Sequence, residues 1–111
     1  MAPRLNCMVP NCHRTRGPRK GDVEPLTEDC VWICGEHWML IRKDRRRAES
    51  RARRVYFKAK ERAASIGLAE TGPEASPEYL KAVAELSRAR FRWDVIWLRC
   101  SREAIEKAMG I

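Results

Sequence analysis

Small and apolar residues recur at Ile41, Ala48, Ala52, Val55, Ala59, Ala63 and Ile66. Intervals of three, four and seven line one narrow stripe of an α-helix. The stretch has no Pro from 26 to 72, no Gly between 35 and 67, and is rich in Ala, Arg, Lys, Glu and Leu, all good helix formers. The pattern predicts one long helix over 35–66, roughly 45 Å in length. Gly67 is placed to cap it, with Leu68 supplying the accompanying apolar contact. Residues 67–76 read as a linker. Ser76-Pro77 then gives an N-cap followed by Pro at the first helical position, a helix start. The second helix runs over 77–109 and ends at Gly110. Its apolar set is broad: Leu80, Ala84, Phe91, Val95 and Leu98 line one side, and Val83, Leu86, Trp93, Trp97, Cys100 and Ala104 an adjacent one. Such a helix is expected to bury more than one face. One face suits an antiparallel packing on the first helix, the other the N-terminal module or a second copy of the chain.

The first 34 residues lack that periodicity. "RTRGPRKGD" (14–22) is turn chemistry, and "CVWIC" (30–34), short and rich in β-branched and aromatic residues, reads as a strand. At 111 residues one domain is expected. The fold class is mainly α with a small β-hairpin: a module over 1–40, then a long two-helix antiparallel hairpin.

Charge changes the picture. All of the net +8 lies in residues 1–66, and 67–111 are neutral. The densest run is "RKDRRRAESRARR" (42–54), in which eight of thirteen residues are basic. Arg42, Lys43, Arg45, Arg46, Arg47, Arg51, Arg53 and Arg54 form the candidate nucleic-acid-binding face, for DNA or RNA. Arg14, Arg16, Arg19 and Lys20 are placed to extend it. The bland alternative is a solvated helix with Asp44 and Glu49 as partners for nearby Arg. No run of apolar residues suffices to span a membrane and no signal-peptide pattern opens the chain. A soluble, cytoplasmic protein is expected, in a bacterial cell or the host cell of a phage, where five cysteines favour metal over disulfides.

Six candidate ligands lie in the first 37 residues: Cys7, Cys12, His13, Cys30, Cys34 and His37. Zinc takes four N/S donors, commonly as two close pairs. Cys7-x4-Cys12 and Cys34-x2-His37 supply such pairs, the second at a helix start. The expected set is Cys7, Cys12, Cys34 and His37 around one structural Zn²⁺. Cys30 or His13 remain alternatives for one position, and Cys100 reads as core. Trp32 and Trp38 are expected to cover the metal, with base stacking the alternative. Trp93 and Trp97 read as packing or interface anchors, including in a homodimer through the second helix.

Knuckle, hairpin, then a helix whose first turn carries the last two ligands resembles a treble-clef zinc finger over residues 7–40. The wider pattern over 7–56, with "RTRG", "ICGEHW" and the arginine-rich helix, is similar to small Cys/His proteins of phages and prophages. That resemblance implies a zinc treble clef and action on nucleic acid or on the host machinery handling it. The Cys7-x4-Cys12 loop is wider than the common two-residue knuckle. A nuclease branch of that class needs more His or Asn than this chain offers beyond His13 and His37, so the reading is non-enzymatic. The function expected is that of a zinc-stabilised nucleic-acid-binding regulator. The alternative is an inhibitor or adaptor docking its basic helix on a host nucleic-acid-handling complex.

Overall fold

The computed structural model describes residues 3–22, 24–27, 29–69 and 75–111. In chain order the elements are β1 (Leu5–Asn6), β2 (Thr15–Arg16), α1 (Gly35–Trp38), α2 (Lys43–Ala69) and α3 (Pro77–Ala108). The chain divides into two units: residues 43–100, and residues 1–42 together with 101–111.

The 43–100 unit is a helical hairpin in which α2 and α3 pack against each other. Its pairings run in opposite directions along the two helices. Arg45 meets Cys100, Glu49 meets Trp93, Arg62 meets Glu85 and Gly67 lies under Tyr79. Ala52, Ala63, Ala82 and Ala89 are buried in the seam, where small side chains allow close approach. One edge is filled by Trp93, with ring centroids 5.2 Å from Tyr56 and 5.8 Å from Phe57. Arg90 sits over both Tyr56 and Trp93. Ser76 caps α3, its Oγ accepting the Tyr79 N–H at 3.1 Å. Gly110, at φ 76°, ends the C-terminal turn, with Ile111 N–H on the Glu106 carbonyl and Gly110 N–H on that of Lys107, a Schellman arrangement.

In the other unit, β1 and β2 pair antiparallel, Leu5 with Arg16 and Asn6 with Thr15. Cys7 N–H continues the ladder to the Arg14 carbonyl at 3.1 Å. A single parallel bridge joins Cys7 to Trp32, and Met8 N–H reaches the Trp32 carbonyl at 2.9 Å. Leu5, Val9, Ile33 and Ile41 are buried here beside Cys7 and Cys34.

Several sequence expectations change. The helix expected over 35–66 is two helices, interrupted at residues 39–42. The interruption is held by the end of α3. Glu103 accepts the Arg42 backbone N–H, and Lys107 Nζ donates to the Leu40 carbonyl at 2.8 Å. Side chains more than 60 residues away thus replace helical hydrogen bonds that local propensity would have made. Gly67 does not cap α2, which continues to Ala69. A Cβ there would stand 3.1 Å from the Tyr79 ring, so glycine at this position allows a close approach. Residues 30–34 form no strand beyond the one bridge at Trp32. The hairpin lies around the first Cys pair rather than between the pairs. On α3 the Val83–Leu86–Trp93–Trp97–Cys100–Ala104 side is buried or half-buried, whereas Leu80, Phe91 and Leu98 are exposed. Residues 70–74 of the expected linker lie outside the described residues.

Candidate metal centre

Three local devices converge. The β1–β2 ladder closes a loop from Cys7 to Arg14, in which Asn11 takes φ 67° and Cys12 N–H returns to the Val9 carbonyl at 3.1 Å. Asn tolerates this left-handed conformation better than most residues, so the four-residue spacer turns back on itself. The Cys7–Trp32 bridge draws residues 32–34 alongside Cys7. One turn of helix, closed by Trp38 N–H on the Cys34 carbonyl at 2.8 Å, then brings His37 back over Cys34.

The result gathers Cys7, Cys12, Cys34 and His37, each offering one donor atom, with all four atoms within 4.8 Å of one another. Cys12 Sγ lies 4.0 Å from Cys34 Sγ, and His37 Nδ1 lies 3.6 Å from Cys7 Sγ and 3.2 Å from Cys34 Sγ. A tetrahedron with metal–sulfur bonds of about 2.3 Å and metal–nitrogen bonds of about 2.05 Å has edges of roughly 3.8 Å (S–S) and 3.5 Å (S–N). The Cys12–Cys34, Cys7–His37 and Cys34–His37 separations lie within a few tenths of an ångström of those edges, and the remaining three are no longer than 4.8 Å. A group of three cysteines and one histidine is thus present with the composition and spacing to hold a metal ion.

Electrostatics favour thiolate at one sulfur. Burial raises the cost of charging Cys34. The His37 backbone N–H, the Arg14 guanidinium (3.8 Å from Sγ) and the thiols of Cys7 and Cys12 outweigh that, and its pKa falls from 9.0 to about 6. Arg14 is held in place by an ion pair with Glu36. Cys7 moves the other way: burial pushes its thiol up, against the Cys34 and Val9 backbone N–H groups that point at its sulfur. Backbone N–H groups directed at sulfur suit a metal-bound thiolate.

His13 and Cys30 lie outside the cluster, and both are exposed. Cys30, an alternative ligand by its place in the sequence, is thus neither in the cluster nor in the core; its Sγ lies 3.4 Å from Thr27 Oγ1. Cys100 is fully buried and donates to the Arg45 carbonyl. Trp32 and Trp38 are half-buried. Arg14, placed by sequence on a basic hairpin surface, is instead the cation that serves Cys34. Arg16 likewise turns inward to Asp22. The signal for Arg14 lay in its position directly after the first Cys pair, but only the fold aims it at the second.

The basic residues of 42–54 separate into two groups. Arg42 pairs with Glu103 and Arg53 with Glu49, while Arg45 and Arg46 are half-buried and engaged. Lys43, Arg47, Arg51 and Arg54 are exposed and, among the described residues, have no ionic partner. Trp93 belongs to the hairpin packing, donating from Nε1 to buried Glu49 at 3.3 Å, and Trp97 is half-buried. Among the described residues no helix is long and apolar enough to cross a membrane. No protein-family profile matches the chain, and neither the curated proteins nor the solved structures contain a match to it.

Proposed function

We propose that the protein is a zinc-stabilised, non-enzymatic nucleic-acid-binding regulator, of the kind carried by phages and mobile elements. Three sulfurs and one imidazole within 4.8 Å of one another are a donor set suited to structural zinc. With four protein donors the coordination shell is closed, leaving no position for a catalytic water. Bound zinc supplies cross-linking alone: it ties the Cys7–Arg14 loop to α1.

The observation that carries the nucleic-acid reading is the group of unpaired cations Lys43, Arg47, Arg51 and Arg54 on the exposed side of α2. Clustered exposed guanidinium groups without carboxylate partners are costly through mutual repulsion and are relieved by phosphates. Fluorescence anisotropy with labelled duplex and single-stranded oligonucleotides tests this. Binding is expected to weaken steeply between about 50 and 200 mM salt. Absence of binding at the lower salt refutes the reading. A second reading, an adaptor on a host complex, draws on exposed Leu80, Phe91 and Leu98. Capture of a host protein that survives nuclease treatment and is lost in Phe91→Ser would favour it, and the same stripe is where a second copy would pair.

A further inference from the structure

The α2–α3 hairpin leaves a cleft of about 220 Å³ along one side of its seam. Its floor is apolar, formed by Ala48 and Ala52 of α2 and Ala89 and Ile96 of α3, and Arg51 and Arg92 flank it from opposite helices. Each arginine heads a column. On α2, Arg47, Arg54 and Lys58 lie four before, three after and seven after Arg51, within about 60° of one another around the helix. On α3, Lys81, Arg88 and Arg99 lie eleven before, four before and seven after Arg92, within about 40°. All eight side chains are exposed, and among the described residues none has an ion pair or hydrogen bond. Of the acidic groups on this side, Glu85 pairs with Arg62 at 3.4 Å and Asp44 is engaged within the chain, while exposed Glu61 and Glu78 stand beyond Lys58 and Lys81, at the end of the columns away from Arg47 and Arg99.

We propose that this two-rimmed cleft, and not α2 alone, is the nucleic-acid-binding site. The phosphodiester backbone lies along the seam, clamped between the α2 column and the α3 column. The inference rests on the nucleic-acid reading above and adds Lys81, Arg88, Arg92 and Arg99 from the half of the chain with no net charge. Charge complementarity selects the occupant: two parallel rows of unpaired cations match a polyanion with regularly repeating charge. With Arg51 and Arg92 committed to phosphates by the clamp, the rest of the cleft lining, Ala, Val and Ile, has no hydrogen-bonding side chain left to read a base edge. Binding is therefore expected to be tolerant of sequence. The aromatic cluster of Tyr56, Phe57 and Trp93 is taken up in the hairpin's own packing.

The test uses the zinc-loaded full chain and three charge-matched double variants. These are R47Q/R51Q on α2, R88Q/R92Q on α3, and R19Q/K20Q on the loop after β2 as a control. If all eight cations contact duplex phosphates, the wild-type slope of log K against log salt is about −7, and each helix pair lowers its magnitude by about 1.8. The loop pair is expected to leave it unchanged. Circular dichroism is expected to show helicity retained in all three variants, since the substituted positions are exposed. The proposal is overturned if R88Q/R92Q behaves like the loop pair while R47Q/R51Q weakens binding, and the nucleic-acid reading then survives on α2 alone. It is also overturned, together with that reading, if wild type binds vesicles containing phosphatidylserine but neither duplex nor single-stranded nucleic acid. Equal affinity for unrelated sequences supports the clamp, and a strong preference for one sequence counts against it.

Discussion

Glu103→Ala gives the sharpest test of how the chain is held between α1 and α2. Glu103 is 7% exposed and accepts the Arg42 backbone N–H, with Arg42 Nε at 3.4 Å and Lys107 Nζ at 3.2 Å. Arg42 and Lys107 are themselves half-exposed, so their ionic share is under about 1 kcal/mol. The larger share is the partly buried N–H, which loses its acceptor at a cost of about 1–2 kcal/mol. Together the loss is about 1–3 kcal/mol, or a fall in Tm of roughly 4–12 °C for a chain of this size. Glu103→Gln keeps an acceptor oxygen in place, so its loss should stay near about 1 kcal/mol. Thermal and urea unfolding of both variants with zinc present would measure this. An alanine variant within about 0.5 kcal/mol of wild type would refute the capping role. A glutamine variant as unstable as the alanine one would show that charge, rather than the acceptor, is what matters.

Four further outcomes are expected. Cys7→Ser or His37→Ala should cut bound zinc well below one equivalent and remove amide-exchange protection around Cys7, Trp32 and Ile33, because metal binding and folding are coupled in small metal-held modules; full zinc content in either variant would contradict the ligand set. Trp93→Phe keeps the ring contacts but takes the Nε1–H from Glu49, which is 4% exposed and then retains, among the described residues, only the Arg53 ion pair at 3.8 Å; a loss of about 1–3 kcal/mol in denaturant unfolding is expected. Ala52→Leu forces a larger side chain into the α2–α3 seam and should cost about 1–3 kcal/mol through overpacking, read by the same unfolding curves. The Arg19 backbone N–H first, and then the Arg16 guanidinium, lower the Asp22 pKa below 3.8. Its contribution to the 16–22 turn is therefore present above the ordinary value and is lost as pH falls through the lowered one, so Asp22→Asn should abolish that acid-side dependence in a pH series of stability.

Much of this fold is written locally along the chain. Ser76-Pro77 and Gly110 delimit α3 because N-cap chemistry and a left-handed C-terminal residue act within a few bonds of the chain. The alanine stripe of α2 was legible for the same reason, since 3.6-residue periodicity is a local property. The two close Cys/His pairs and the helix start at Gly35 pointed to Cys7, Cys12, Cys34 and His37, the four residues the fold gathers, with Cys30 and His13 left open as alternatives. Tertiary structure decided the rest. Residues 39–42 have nothing in their own sequence against helix. They leave it because Glu103 and Lys107 offer backbone partners from the far end of α3. Gly67 carries a terminator's identity yet sits inside a helix, because the Tyr79 ring needs the space a Cβ would fill. Arg14 and Arg16 looked like free surface charge until Cys34, Glu36 and Asp22 were brought to them. Conversely, the basic column on α3 was hidden in a segment of zero net charge. A sum over sequence cancels charges that a helix separates onto different faces, and only packing shows which face remains open.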